Sequence, residues 1–172
     1  QKATKEAKVH TSWVNPNEEY DAAVRDFVTA LLPEDRDGPF LKDFLPFQRR
    51  VAFFGYFNAL AQLLLKLTCP GVPDTYQGTE LWDFSLVDPD NRRPVNFERR
   101  RALLAALRLR NDAPGDDLKA LAAELLDTTR DGRIKLYVTY RTLNFRRARA
   151  SLFLNGSYEP LEVTGARREH AC

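Results

Sequence analysis

Between Pro70 and Pro94 the chain reads PGVPDTYQGTELWDFSLVDPDNRRP. Asp74, Glu80, Asp83, Asp88 and Asp90 fall in this one segment, beside the amides of Gln77 and Asn91, the guanidinium groups of Arg92 and Arg93, and the rings of Tyr76 and Trp82. This set of side chains suits a hydroxyl-rich ligand. Amides, carboxylates and guanidinium groups make paired hydrogen bonds to neighbouring hydroxyls, and the aromatic rings can face the apolar C–H side of a sugar. Breaking a glycosidic bond asks for more: two carboxyl groups on either side of it, about 5 Å apart for a retaining route and wider for an inverting one. Such a pair usually comes from separate strands that meet across a barrel mouth. Acids clustered in one segment look more like binding or loop-shaping groups. The plainer alternative is a capping loop whose acids pair with its own arginines, Arg92 and Arg93 against Asp88 and Asp90. The residues leave the two readings open. DPDN also reads as a turn in its own right, and Gly78 would permit a backbone bend that other residues resist.

The segment needs elements to hold it. Upstream, an apolar stretch predicts a helix starting near Phe40 or Pro46 and running to about Thr68, with Phe47, Val51, Phe54, Leu60, Leu64 and Leu67 at helical spacing. We expect these residues, and Phe57, to be core. Asn58, Gln62 and Lys66 recur at every fourth position, with Arg49 and Arg50 just before; a bilayer would penalise that stripe, so a buried amphipathic helix is expected and not a membrane span. A Pro-Gly turn follows, then a short expected strand at Val72–Tyr76 with Pro73 near its start. If that strand belongs to a parallel α/β barrel, the residues just after Tyr76 line the active-site face.

Elsewhere, residues 1–9 read as the tail of a helix, and 10–17 as a turn in which Asn17 caps a helix running to about Leu32. Its expected inner stripe is Tyr20, Val24, Phe27, Val28 and Leu31. Further helices are expected at about Phe97–Leu109 and Asp116–Leu126. The stretch from Gly132 to Ala148 alternates like a strand, yet its length favours a helix. Residues 157–165 read as a strand that cannot bury itself alone.

The bulk numbers bound the class. The chain has 172 residues, 44% hydrophobic and 29% charged, a soluble globular profile. A net charge of +2 gives no reason to expect a nucleic-acid or acidic-membrane partner. The cluster Arg141, Arg146, Arg147 and Arg149 reads as a solvated helix face. Cys69 and Cys172 give no disulfide framework, and His10 and His170 are too few for a self-contained metal site. Cysteine usage fits a reducing compartment, so a cytoplasmic location is expected. No methionine occurs, even at position 1; we therefore expect a processed chain or a piece of something larger.

KVHTSWVNPNEEY, NALAQLLLKLTCPGVPDTYQGTELWDFSLVDPDNRRPV, LYVTYRTLNFRR and GSYEPLEVTG together closely resemble the C-terminal part of the maltooligosyl trehalose synthases, a branch of the α-amylase family of glycoside hydrolases. The resemblance implies a mostly α chain forming the C-terminal end of a (β/α)8 TIM barrel: helices after strand seven, strand eight and the last helices over 1–130, then a last helix and the start of a C-terminal β domain over 131–172. It implies a parent enzyme, a glucosylmutase of the isomerase class, that moves the reducing-end α-1,4 linkage of a maltooligosaccharide to an α,α-1,1 linkage by intramolecular transglycosylation, with no metal or organic cofactor. The implied partners are the maltooligosaccharide and the rest of the parent polypeptide, with no nucleic acid and no membrane.

In this resemblance the catalytic carboxylates fall upstream of Gln1, so the chain itself is expected to be inactive. The positions that carry over as substrate-binding are Tyr76, Gln77, Glu80, Trp82, Asp83, Asp90, Asn91, Arg92 and Arg93, with Gly78 and Asp88 in the same blocks. His10, Trp13 and Asn15 match a second motif whose role is open; packing roles are expected for His10 and Trp13. Asn96 stands where the pattern has Asp, and Cys69 and Ala59 where it has Ser; the first is expected to weaken an ion pair with a nearby arginine. Two alternatives remain beside this reading: a non-catalytic carbohydrate-binding or scaffold segment, and a piece of an α-amylase-type hydrolase.

Overall fold

The computed structural model describes residues 1–33, 37–85, 92–112 and 118–170. Two compact units divide the chain, Gln1–Gly55 and Tyr56–Cys172.

In the first unit, α1 spans Lys2–Ala7 and α2 spans Glu18–Leu31. Asn17 is the expected cap: its side chain accepts from the Tyr20 N–H at 3.0 Å, while Glu18, Glu19 and Asp21 occupy the positive first turn. The inner face of α2 centres on Asp21 and not on the expected apolar stripe, of which Phe27 and Val28 are exposed. Buried Asp21 is matched by Lys5 at 3.4 Å and by the Thr11 hydroxyl at 3.3 Å. Thr11 in turn accepts from the Asn17 N–H at 3.0 Å, so one hydroxyl ties the turn to the helix.

Helix α3, Pro39–Thr68, begins with proline at its first position, where the missing N–H costs nothing, and continues through Pro46. The expectation that its phenylalanines are core is not met: Phe47 is 63% exposed, Phe54 57% and Phe57 41%. Helical spacing identifies an apolar side but not what covers it, and the described residues leave this one open. At the other end Leu67 is fully enclosed and Leu63 nearly so. By length and composition alone, α3 could cross a membrane.

The second unit holds the core. Helices α4 (Phe97–Asp112), α5 (Leu118–Asp127) and α6 (Arg133–Ala148) surround Leu107, Leu121, Leu125, Ile134 and Leu136, with Leu81 from the preceding loop. Short α7 (Ala150–Asn155) comes next. The Gly132–Ala148 stretch is a helix from Arg133 on, as its length indicated. Asn96 accepts from the Arg99 N–H at 2.8 Å, which makes it the cap of α4. Asn and Asp cap equally well, so asparagine at this position keeps the cap.

Among the described residues there is no strand. Val72–Tyr76 and residues 157–165, both expected as strands, lie outside helix and ladder alike. A strand is stabilised by a neighbour that accepts and donates along its length, and no described residue provides one. The arginine cluster also differs from a uniformly solvated face. Arg146 donates to the carbonyls of Leu67 at 3.0 Å and Cys69 at 2.9 Å, and to that of Gly71. It thereby satisfies the carbonyls left open where α3 stops.

Candidate functional site

Between Gly71 and Ser85 the chain lies outside any helix and bends at Tyr76–Thr79. The bend is closed by the Thr79 N–H and hydroxyl, which donate to the Tyr76 carbonyl at 3.3 and 2.6 Å. Gly78 sits in the left-handed region with φ +90°, and a Cβ there would stand 3.2 Å from Val95 Cγ2. The bend therefore needs glycine for both conformation and space.

Three groups from later in the chain hold the loop beyond this bend. Arg100 of α4 donates Nε to Glu80 Oε2 at 2.8 Å, Nη2 to the Gly78 carbonyl at 2.7 Å and Nη1 to the Asn96 carbonyl at 3.1 Å. The Trp82 indole N–H donates to the Thr129 carbonyl at 2.6 Å. Lys135 Nζ of α6 donates to the Leu81 carbonyl at 3.1 Å and stands 5.6 Å from the centre of the Trp82 ring. That ring also packs on Tyr56, centroid to centroid 4.8 Å. Gly132, at φ +83°, admits the loop backbone: a Cβ would come within 3.2 Å of the Trp82 nitrogen.

The result is an open cleft of about 430 Å³. Its polar lining comes from three elements: Gln62 and Lys66 of α3, Tyr76, Thr79 and Glu80 of the loop, and Lys135 of α6. Lys66 donates to the Asp74 carbonyl at 2.9 Å. Burial pushes the Lys135 amine below the ordinary lysine value; the like charge of Lys66 pushes the same way, while Asp83 and Glu80 oppose it. Asp83 is held below the usual carboxylate range, first by the Ser85 hydroxyl and then by the Ser85 N–H, which donates at 2.9 Å. Amide, hydroxyl and ammonium groups on a cleft wall can bind a polyol. Glu80 is ion-paired with Arg100 and Asp83 is bonded to Ser85, so both act here as acceptors for the chain's own donors.

The expected site residues separate accordingly. Tyr76 and Glu80 stand on the cleft. Gln77 and Asp83 are exposed. Trp82 is turned inward against the leucine core, its N–H already bonded. Arg92 and Arg93 are exposed, and Asp88, Asp90 and Asn91 lie outside the described residues. In the first unit, the His10 ring packs on Tyr20 at 4.9 Å, Lys5 stands 5.1 Å over the exposed Trp13 ring, and the Asn15 N–H donates to the Ser12 hydroxyl at 2.8 Å.

Sequence reasoning missed Arg100, Lys135 and the cleft-facing side of α3. The polar stripe containing Gln62 and Lys66 was legible, but it served only to argue against a membrane span. Arg100 was hidden in a run of three arginines, where spacing gives no reason to choose one.

No family model matches the chain. Two Mycobacterium tuberculosis proteins assigned as maltooligosyl trehalose synthase, from strains CDC 1551 / Oshkosh and ATCC 25618 / H37Rv, are each 37% identical over 170 residues, covering 99% of this chain and 19% of their own length. A crystal structure of maltooligosyl trehalose synthase matches with a TM-score of 0.79 at 35% identity, over 95% of this chain and 21% of that one. The chain spans about a fifth of the length of the relatives it matches. Its resemblance to one segment of that enzyme holds in sequence and in fold.

Proposed function

We propose that this chain, which aligns along nearly its whole length with a segment of maltooligosyl trehalose synthase, is part of an enzyme that converts the reducing-end α-1,4 linkage of a maltooligosaccharide into an α,α-1,1 linkage. In that reaction the bond from the penultimate C1 to O4 of the terminal glucose breaks, a carboxylate takes the glycosyl group, and an acid protonates O4. The freed glucose turns, and its own anomeric hydroxyl attacks the same C1 with net retention, giving its proton back to the group that protonated O4 and releasing the carboxylate. The terminal glucose must stay in place and water must stay out while it turns. In this reading the chain supplies a wall that holds the glucose, and the bond-breaking carboxylates lie in another part of the polypeptide. The chain would be the C-terminal end of a barrel, residues 72–76 its eighth strand once a neighbour pairs with them, and residues 131–172 the last helix and the first part of a β domain. The exposed apolar side of α3 would pack on the rest of that polypeptide. We place the enzyme in the cytoplasm.

The observation that carries this reading is the cleft itself. Tyr76, Thr79 and Glu80, from the segment that suggested sugar binding, share it with Gln62, Lys66 and Lys135. The test is to incubate the chain with maltopentaose. Saturable binding without any non-reducing product is expected. Turnover would put a nucleophile inside these 172 residues and overturn the assignment of the chemistry to another part.

A further inference from the structure

Arg92 and Arg93 were expected to pair with Asp88 and Asp90, which lie outside the described residues. Nearer the bend, Glu80 is engaged by Arg100 and Asp83 by Ser85. Arg100, twenty residues beyond Glu80, takes that carboxylate through Nε and the Gly78 carbonyl through Nη2 of one guanidinium plane. Lys135 reaches the Leu81 carbonyl from α6 and covers the Trp82 ring. A loop with no ladder of its own is therefore fixed at successive residues by two cations on two different helices.

We propose that Arg100 and Lys135 are positioning residues for the sugar cleft: Arg100 fixes the Gly78–Glu80 arm, Lys135 fixes the Leu81–Asp83 arm, and together they present Tyr76 and Thr79 to the ligand. The ligand class rests on the function proposed above; the anchoring rests on the contacts alone. Glu80 then serves chiefly as the seat of Arg100, and Trp82 as the seat of Lys135. A guanidinium is required at position 100, because an ammonium cannot hold a carboxylate and a carbonyl in one plane. At position 135 a point charge suffices. The groups facing Lys135 are Asp83 and Glu80, which favour its charged form, and Lys66, which with burial disfavours it. Its amine accordingly loses its proton below the ordinary lysine value of about 10.4.

The experiment uses the whole chain with Trp13→Phe, which leaves Trp82 as the one tryptophan. Trp82 emission is followed against pH and against added maltopentaose, in that background and with Arg100→Lys, Lys135→Met or Lys135→Arg added; thermal midpoints are recorded for each. An alkaline step in emission is expected below the ordinary lysine range, absent in Lys135→Met and Lys135→Arg. Maltopentaose affinity is expected to fall about tenfold in Arg100→Lys and in Lys135→Met, the scale of losing one charge-assisted hydrogen bond. Lys135→Arg should restore it to within about threefold, since an arginine keeps the charge at all working pH values. An alkaline step that persists in Lys135→Met, or sugar affinity unchanged in both weakened variants, overturns the positioning role. If the background chain binds no sugar at all, the proposed function fails, while the alkaline step and its loss still decide the anchoring.

Discussion

In the sequence, Leu121 and Leu125 of α5 and Phe47 and Phe54 of α3 are the same kind of residue, apolar and helically spaced. In the structure the leucines are 1% exposed and the phenylalanines more than half exposed. The helices around α5 close on one another within a short span of chain, and the polar groups near them are matched in the same way. Glu124 takes Arg133 at 2.8 Å and also Arg110, while Tyr137 donates to Asn111 at 3.1 Å. Helix α3 is finished at its C-terminal end, where Leu67 is enclosed and Arg146 takes the last carbonyls, while its middle exposes Phe47 and Phe54. Amphipathic spacing therefore reports which side of a helix avoids water. It reports a core only when the covering element lies within the same chain.

Variants can break that comparison or sharpen it. The largest effect is expected from Leu125→Ala, which should cost about 3 kcal/mol of unfolding free energy, within the range for emptying an enclosed leucine site. Phe54→Ala, by contrast, should stay within about 0.5–1 kcal/mol. Denaturant unfolding of the two variants side by side checks this, and equal losses would mean that the phenylalanine side is covered after all.

Gly132→Ala comes next. It combines a left-handed backbone with a contact that would bring Cβ to 3.2 Å from the Trp82 nitrogen. A loss of about 1–3 kcal/mol is expected, together with a change in Trp82 fluorescence that Gly71→Ala, strained by its own φ of +98° but with open space around its Cβ, should not show. Arg146→Ala removes the donors at the end of α3 and should cost about 1–2 kcal/mol, on the scale of charge-assisted bonds to helix carbonyls. Hydrogen exchange should place the loosening in the last turn of α3 and leave α5 protected.

The smallest effects are electrostatic. Asp83 and Glu124 both have pKa values below the usual carboxylate range, Glu124 because Arg110 and Arg133 bond to it and Asp83 because Ser85 does. A carboxylate whose folded value is depressed contributes stability above its unfolded pKa and loses it as pH falls through the folded value. The chain should therefore lose stability on acidification from about pH 5 downward. Glu124→Gln should flatten that slope slightly; an unaltered slope would assign the acid sensitivity to other groups.

Much was legible in advance because it is local. Asn17 and the acids after it announce α2, the length of the Gly132–Ala148 run decides its helix, and the break after Thr68 is written in Cys69-Pro70-Gly71. The leucine core was less directly legible, since its members come from a loop and three helices. What was not legible is non-local. The residues at 72–76 carry β-formers, yet a strand is a relation between two segments, and only one is among the described residues. Arg100 and Lys135 escaped notice because nothing in their neighbours marks them; they are defined by carbonyls at Gly78 and Leu81. Trp82 read as a sugar platform because exposure cannot be told from composition, and the structure places its ring on Tyr56 and beneath Lys135.

The central claim is that the bend after Tyr76 borders a sugar-binding cleft. Amide hydrogen exchange of the whole chain, with and without maltopentaose, tests it most directly. The account predicts slowed exchange confined to residues 74–82 and to the stretches of α3 and α6 that carry Gln62, Lys66 and Lys135. Unchanged exchange there at saturating sugar, or slowing only elsewhere in the chain, would contradict it.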